Sequence, residues 1–132
     1  MRTLFRVAGL VAALAVALPA SAQFGHPLKG TWSGDWGPNK QERKRVLLEI
    51  NWDGKALTGA INPGPNAVTL QKATLDPSNW SVHLEAESKD GTGKPIRHVI
   101  DGKLENIGAY QRVITGTWTE GARKGDFKII RN

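Results

Sequence analysis

The chain contains no cysteine, one methionine and one tyrosine in 132 residues. Without cysteine there is no disulfide to brace a thin core, no thiol nucleophile, and no lipid-bearing residue to tether a processed N-terminus. Packing and hydrogen bonding have to suffice. Long apolar runs are scarce too: beyond residue 22 none has the length needed to cross a bilayer. Helical periodicity is nearly absent over the same stretch. The sequence also holds no G-x-S-x-G elbow, no metal-spaced His/Cys set and no phosphate-cradling glycine loop. These absences argue against an enzyme, a metal centre and a cofactor.

The one apolar run lies at the start. Arg2 and Arg6 form a short basic region, Val7 to Leu18 is continuously apolar, Pro19 breaks the run, and Ala20-Ser21-Ala22 supplies small residues. A run of about twelve residues is too short to span a hydrocarbon layer of roughly 30 Å as a helix. The pattern is that of a secretory signal peptide over residues 1–22, with cleavage after Ala22 and a periplasmic or secreted destination. Residues 23–132 then form one domain with no transmembrane span, large enough for a single core. The formal net charge of +6 falls to about +4 without Arg2 and Arg6. Basic residues gather at Lys40, Arg43, Lys44 and Arg45. In an exported protein an anionic envelope surface or a protein partner is the better match for them than nucleic acid. A solvated strand edge guarded by charge explains them as well.

Short alternating runs separated by turn residues predict eight strands: Leu28–Trp36, Arg43–Trp52, Lys55–Asn62, Ala67–Leu75, Asn79–Glu87, Pro95–Leu104, Gln111–Trp118 and Gly125–Arg131. The connections are rich in Gly, Pro, Asn and Asp, and none can hold a crossover helix. Consecutive strands should therefore pair antiparallel. Asp53-Gly54 predicts a two-residue turn that sets Ile50 against Leu57, Leu48 against Gly59 and Val46 against Ile61. In the fourth strand Val68 and Leu70 share one parity while Ala73 and Leu75 share the other, which calls for a β-bulge near Gln71-Lys72.

Glycine recurs two residues before a large apolar residue, as in Gly30-Thr31-Trp32, Gly34-Asp35-Trp36, Gly59-Ala60-Ile61, Gly102-Lys103-Leu104 and Gly116-Thr117-Trp118. Both members of each pair point to one face. Strong coiling in a small closed barrel gives inner-face glycine a geometric reason. The fold class expected is all-β: an eight-stranded antiparallel up-and-down meander barrel.

Gly30-Thr31-Trp32 near the start of the domain, with Arg131 ending the last strand, resembles the calycin pattern of lipocalins and their relatives. The ending Ile114-Thr-Gly-Thr-Trp118 … Phe127-Lys-Ile-Ile-Arg131 is similar to that of small exported bacterial lipocalin-like domains. The resemblance implies that Trp32 packs against Arg131 and closes one end of the barrel, and that a small ligand binds at the other end. The chain departs from the lipocalin pattern in its shortness and its lack of a terminal helix. Glu105-Asn106-Ile107-Gly108 stands where the second lipocalin motif would be.

Five tryptophans (Trp32, Trp36, Trp52, Trp80 and Trp118) share the inward parity of their strands. They either line a cup for a small hydrophobic or planar ligand or fill the interior. His98 has inward parity with Ile96, Ile100 and Leu104. It is either a ligand contact or a core histidine with one hydrogen-bond partner. Trp36, Trp52, Trp80, His98 and Trp118 are therefore the expected ligand-binding residues, and Gly30, Trp32 and Arg131 the expected closure. Glu85 and Glu87 should lie on an outer, solvated face. A filled barrel working through its basic surface is the alternative function.

Overall fold

The computed structural model describes residues 25–132. The signal peptide expected at 1–22 lies outside the described residues.

Eight strands form: β1 Gly30–Gly37, β2 Lys44–Trp52, β3 Leu57–Ile61, β4 Val68–Asp76, β5 Ser81–Lys89, β6 Pro95–Glu105, β7 Val113–Glu120 and β8 Arg123–Arg131. Each pairs antiparallel with its neighbours in sequence, and β1 pairs with β8, so the sheet closes into an up-and-down barrel. This is the predicted fold class, and its shape is compatible with a lipocalin-like fold. Among the described residues no helix is long and apolar enough to cross a membrane.

Alternation explains the strands. Along β2, Val46, Leu48 and Ile50 are buried while Arg45, Leu47, Glu49 and Asn51 are exposed. Val82, Leu84 and Ala86 do the same along β5. A one-residue slip would turn either set outward, so burial fixes the parity. The interior is filled by Trp32, Leu48, Ile50, Leu84, Ile100, Ile114, Phe127 and Ile129, each at most 2% exposed. Burial of each such side chain stabilises the fold by roughly 1.5–3 kcal/mol before entropy is counted. Inner-face glycines let the ribbons coil around this core. A Cβ at Gly34 would strike the Lys128 carbonyl, and one at Gly116 the Asp101 carbonyl.

The bulge forms where the parity change requires it: pairing shifts between Leu70, opposite Ala86, and Lys72, opposite Glu85. The second hairpin corrects the expected register. Leu48 faces Ile61, Ile50 faces Gly59 and Trp52 faces Leu57, two residues away from the pairing a two-residue turn would give. The turn spans Asp53 to Ala56, with Asp53 N–H donating to the Ala56 carbonyl at 3.3 Å. The Asp53 carboxylate accepts from Lys55 N–H at 2.8 Å and Ala56 N–H at 2.7 Å. Local capture of two backbone donors by an aspartate outweighs the Asp-Gly preference for a tighter turn. Because the shift is even, the buried face is unchanged.

Strand direction gives the barrel two ends. One carries the β1–β2, β3–β4, β5–β6 and β7–β8 connections; it is called here the connection end. The other carries the residues before β1, the β2–β3, β4–β5 and β6–β7 connections and Asn132.

Candidate functional site

At the connection end, β1 finishes at Gly37 and the chain turns through Pro38 and Asn39. The Asn39 carboxamide oxygen accepts from Gln41 N–H at 2.9 Å and Glu42 N–H at 2.8 Å. This delivers Arg43 across the β1–β8 seam. Its Nη2 lies 2.8 Å from Asp35 Oδ1 and its Nη1 2.9 Å from Asp126 Oδ1. Nη1 also donates to the Gly37 carbonyl at 3.2 Å. These bonds raise the Arg43 pKa, Asp35 first and Asp126 second. The Asp126 carboxyl is lowered, chiefly by its hydrogen bond from Arg43. Gly125 completes the seam: its Cα runs so close to Gly37 that a Cβ would meet the Gly37 carbonyl.

That seam holds an aromatic stack. Trp36 and Trp118 are parallel, with centroids 5.8 Å apart and planes 7° from coplanar. Phe127 meets Trp118 edge-on at 5.8 Å. The Arg123 guanidinium sits 5.9 Å above the Trp36 ring, a cation–π contact. Beside the stack, buried His98 places Nε2 2.8 Å from Ser88 Oγ. Its Nδ1 is 3.9 Å from Glu120 Oε2, beyond hydrogen-bond reach. Glu120 instead takes Lys44 Nζ at 3.4 Å. Desolvation lowers the His98 pKa, Glu120 opposes this, and Lys44 reinforces it. His98 is therefore held toward the neutral imidazole.

Three buried ring nitrogens at this end have no hydrogen-bond partner: Trp36 Nε1, Trp118 Nε1 and His98 Nδ1. Each such group costs about 1–3 kcal/mol of desolvation when left unpaired. Two open depressions flank them. One of about 140 Å³ runs between Trp36, Lys44 and Arg123. The other, of about 490 Å³, lies over Asn66, Val68, Ser88 and Lys89, and Ser88 joins it to His98.

The structure thus brings together three of the five expected ligand residues, Trp36, Trp118 and His98, and places Trp52 and Trp80 at the far end. Trp52 is half-buried and packs on the His26 ring at 4.9 Å. Trp80 lies in the β4–β5 connection at φ 59°, ahead of β5, and its carbonyl accepts from Leu104 N–H at 2.9 Å. Trp32 is fully buried there, and its Nε1 donates to the Leu28 carbonyl at 2.9 Å. Arg131 pairs with Trp32 across the β1–β8 seam. Its aliphatic stem covers Gly30, whose φ of +138° and missing Cβ leave room for it.

Sequence reasoning missed Arg112, at the same end. Its Nη1 donates to the Pro27 carbonyl at 2.7 Å and its Nε to the Ile107 carbonyl at 3.2 Å. No motif marks it; only its position just before β7 does. The basic stretch does not act as one patch: Lys40 and Arg45 are exposed, Arg43 is clamped, and Lys44 is paired. On the outer wall, His83 bridges Asp101 at 2.5 Å and Glu85 at 2.6 Å. Glu85 also takes Arg97, so it is partnered, whereas Glu87 is exposed. Among the described residues no group of His, Asp and Glu could hold a metal ion. Comparison with family models, curated proteins and solved structures finds no match for this chain.

Proposed function

We propose that this chain is an exported, calycin-type binding domain that takes a small planar or apolar ligand at the connection end of the barrel, between Trp36, Trp118 and His98. The observation that carries this reading is the grouping of three unpartnered, buried ring nitrogens at that one end. Buried polar groups without partners are rare in folded proteins, and polar atoms on a ligand are one way to satisfy them: acceptors for the two indole N–H groups, and a donor or an acceptor, according to the tautomer, for His98 Nδ1. The two indoles are almost fully covered and Arg123 lies over the Trp36 ring, so a ligand reaches them by displacing that side chain. Because the centre is filled, the ligand sits at the mouth rather than deep inside. Nothing in this arrangement needs a reacting group, and we read the domain as a binder rather than an enzyme.

Native mass spectrometry of the protein purified from its own host tests the reading, together with titration by the planar apolar dye Nile red. The expected result is a co-purifying small molecule and saturable dye binding that Trp36→Phe and His98→Gln each weaken about tenfold, as loss of a buried contact predicts. Absence of saturable binding, or binding indifferent to both changes, overturns it.

The filled interior favours a second reading, a protein-interaction or envelope-associated domain with a solid core. Lys40 and Arg45 would carry it, since Arg43 and Lys44 are already engaged by carboxylates. Reversing both charges should abolish retention on an anionic envelope surface or partner; unchanged retention removes this reading.

A further inference from the structure

At the far end of the barrel three cations converge. Lys29, Arg112 and Arg131 line an open, mostly polar depression of about 300 Å³, together with Gly25, His26 and Pro27. Arg112 and Arg131 are held side by side, with Arg131 N–H donating to the Arg112 carbonyl at 2.9 Å. Both guanidiniums are anchored by backbone oxygens of the segment leading into β1. Arg112 Nη1 binds the Pro27 carbonyl at 2.7 Å, and Arg131 Nη1 lies 3.5 Å from the Lys29 carbonyl.

Elsewhere in the molecule the arginines that are fixed by side chains are fixed by carboxylates: Arg43 by Asp35 and Asp126, Arg97 by Glu85, Arg123 by Glu42. Among the described residues, the ion pairs do not include Lys29, Arg112 or Arg131. The two guanidiniums instead repel each other: burial and then Arg131 lower the Arg112 pKa. Like charges held together without a counter-charge cost stability, unless an anion from outside sits between them.

We propose that Lys29, Arg112 and Arg131 form a binding site for a tetrahedral oxyanion, a phosphate group carried either by a small soluble molecule or by a lipid headgroup. Guanidinium forks present paired N–H donors that match phosphate oxygens, and the lysine ammonium adds a mobile third contact. The depression is open to solvent, so the rest of a phosphorylated molecule can extend outward. This site is at the opposite end from the indole pair and does not depend on the ligand proposed there.

The test is calorimetric titration of the mature protein with inorganic phosphate at low salt, and co-sedimentation with phosphatidylglycerol against phosphatidylcholine vesicles. Arg131→Gln and Lys29→Gln are the site variants. Lys124→Gln, an exposed lysine at the connection end, is the charge control. Lys29 is exposed, so its substitution keeps the fold even if Arg131→Gln loosens the barrel end. The expected result is phosphate binding weakened about tenfold by either site variant and untouched by Lys124→Gln. Phosphatidylglycerol binding lost in the same two variants identifies a headgroup as the source; phosphate binding alone identifies a soluble one. No binding in either arm, or equal weakening by Lys124→Gln, overturns the proposal.

Discussion

The two ends of the barrel treat their buried polar groups differently. At the end that holds Gly30 and Arg131, the Trp32 indole nitrogen has a backbone acceptor 2.9 Å away, and Leu28 is fully buried beneath it. At the connection end, Trp36 and Trp118 are just as buried, and neither indole nitrogen has a partner. The same residue type is finished structure in one place and an open valence in the other. The indole pairing at one end adds to stability, whereas at the other the unsatisfied N–H groups are a cost to the fold.

The sharpest way to break this comparison is one substitution made at each end. Trp32→Phe strands the buried Leu28 carbonyl, whereas Trp36→Phe deletes a donor that had no partner. In urea denaturation Trp32→Phe should be the more destabilising by about 1–3 kcal/mol. Equal losses would mean that both indoles contribute through packing alone and that the Trp32 hydrogen bond adds nothing.

Acid sharpens it at a smaller amplitude. Burial lowers the folded-state pKa of His98, at the connection end, and of His26, at the other, from the ordinary 6.5. As pH falls, the unfolded chain takes up each proton before the folded chain does, so the folded state is penalised. Stability is full above 6.5 and declines as pH drops through that value toward the lowered folded pKa of each ring. Asp53, Asp76, Asp90 and Asp126 also have lowered folded pKa values, so their contribution is present above about 3.9 and fades only below that, in a separate window. Melting temperature measured across the upper window should flatten more in His98→Gln than in His26→Gln, because His98 is the more completely buried ring.

The smallest effect concerns the two arginine anchors. Arg43 is part exposed and held by carboxylates, so Arg43→Gln should cost little stability, and less still in high salt. Arg112 is held by backbone carbonyls, so the cost of Arg112→Gln should not shrink as salt is added. Melting curves of both variants at low and high ionic strength separate the two cases.

Parity made the fold legible. Val46, Leu48 and Ile50, or Val82, Leu84 and Ala86, announce a buried face whatever their neighbours are, and the phase change at Gln71-Lys72 announced the bulge. The site was only partly legible, because parity gives the face of a strand and not its height along the barrel. Trp52 and Trp118 share an inward parity yet lie at opposite ends. Height depends on strand direction and turn length, and at Asp53–Ala56 the turn length was set by hydrogen bonds to a single carboxylate. Arg43 meets Asp126 across 83 positions and Arg112 meets Pro27 across 85, so no local pattern announces either contact.

The β1–β8 seam has a bearing on how the molecule assembles. Seven of the eight ladders join neighbours in sequence and can form as local hairpins, whereas the eighth must bring Trp32, in the first strand, to Arg131, at the end of the last. Loop-closure entropy grows only slowly with length, so a ribbon already zipped through seven hairpins has little left to lose at the last step. Refolding should therefore proceed by progressive local pairing, with annealing of the cylinder as the final event.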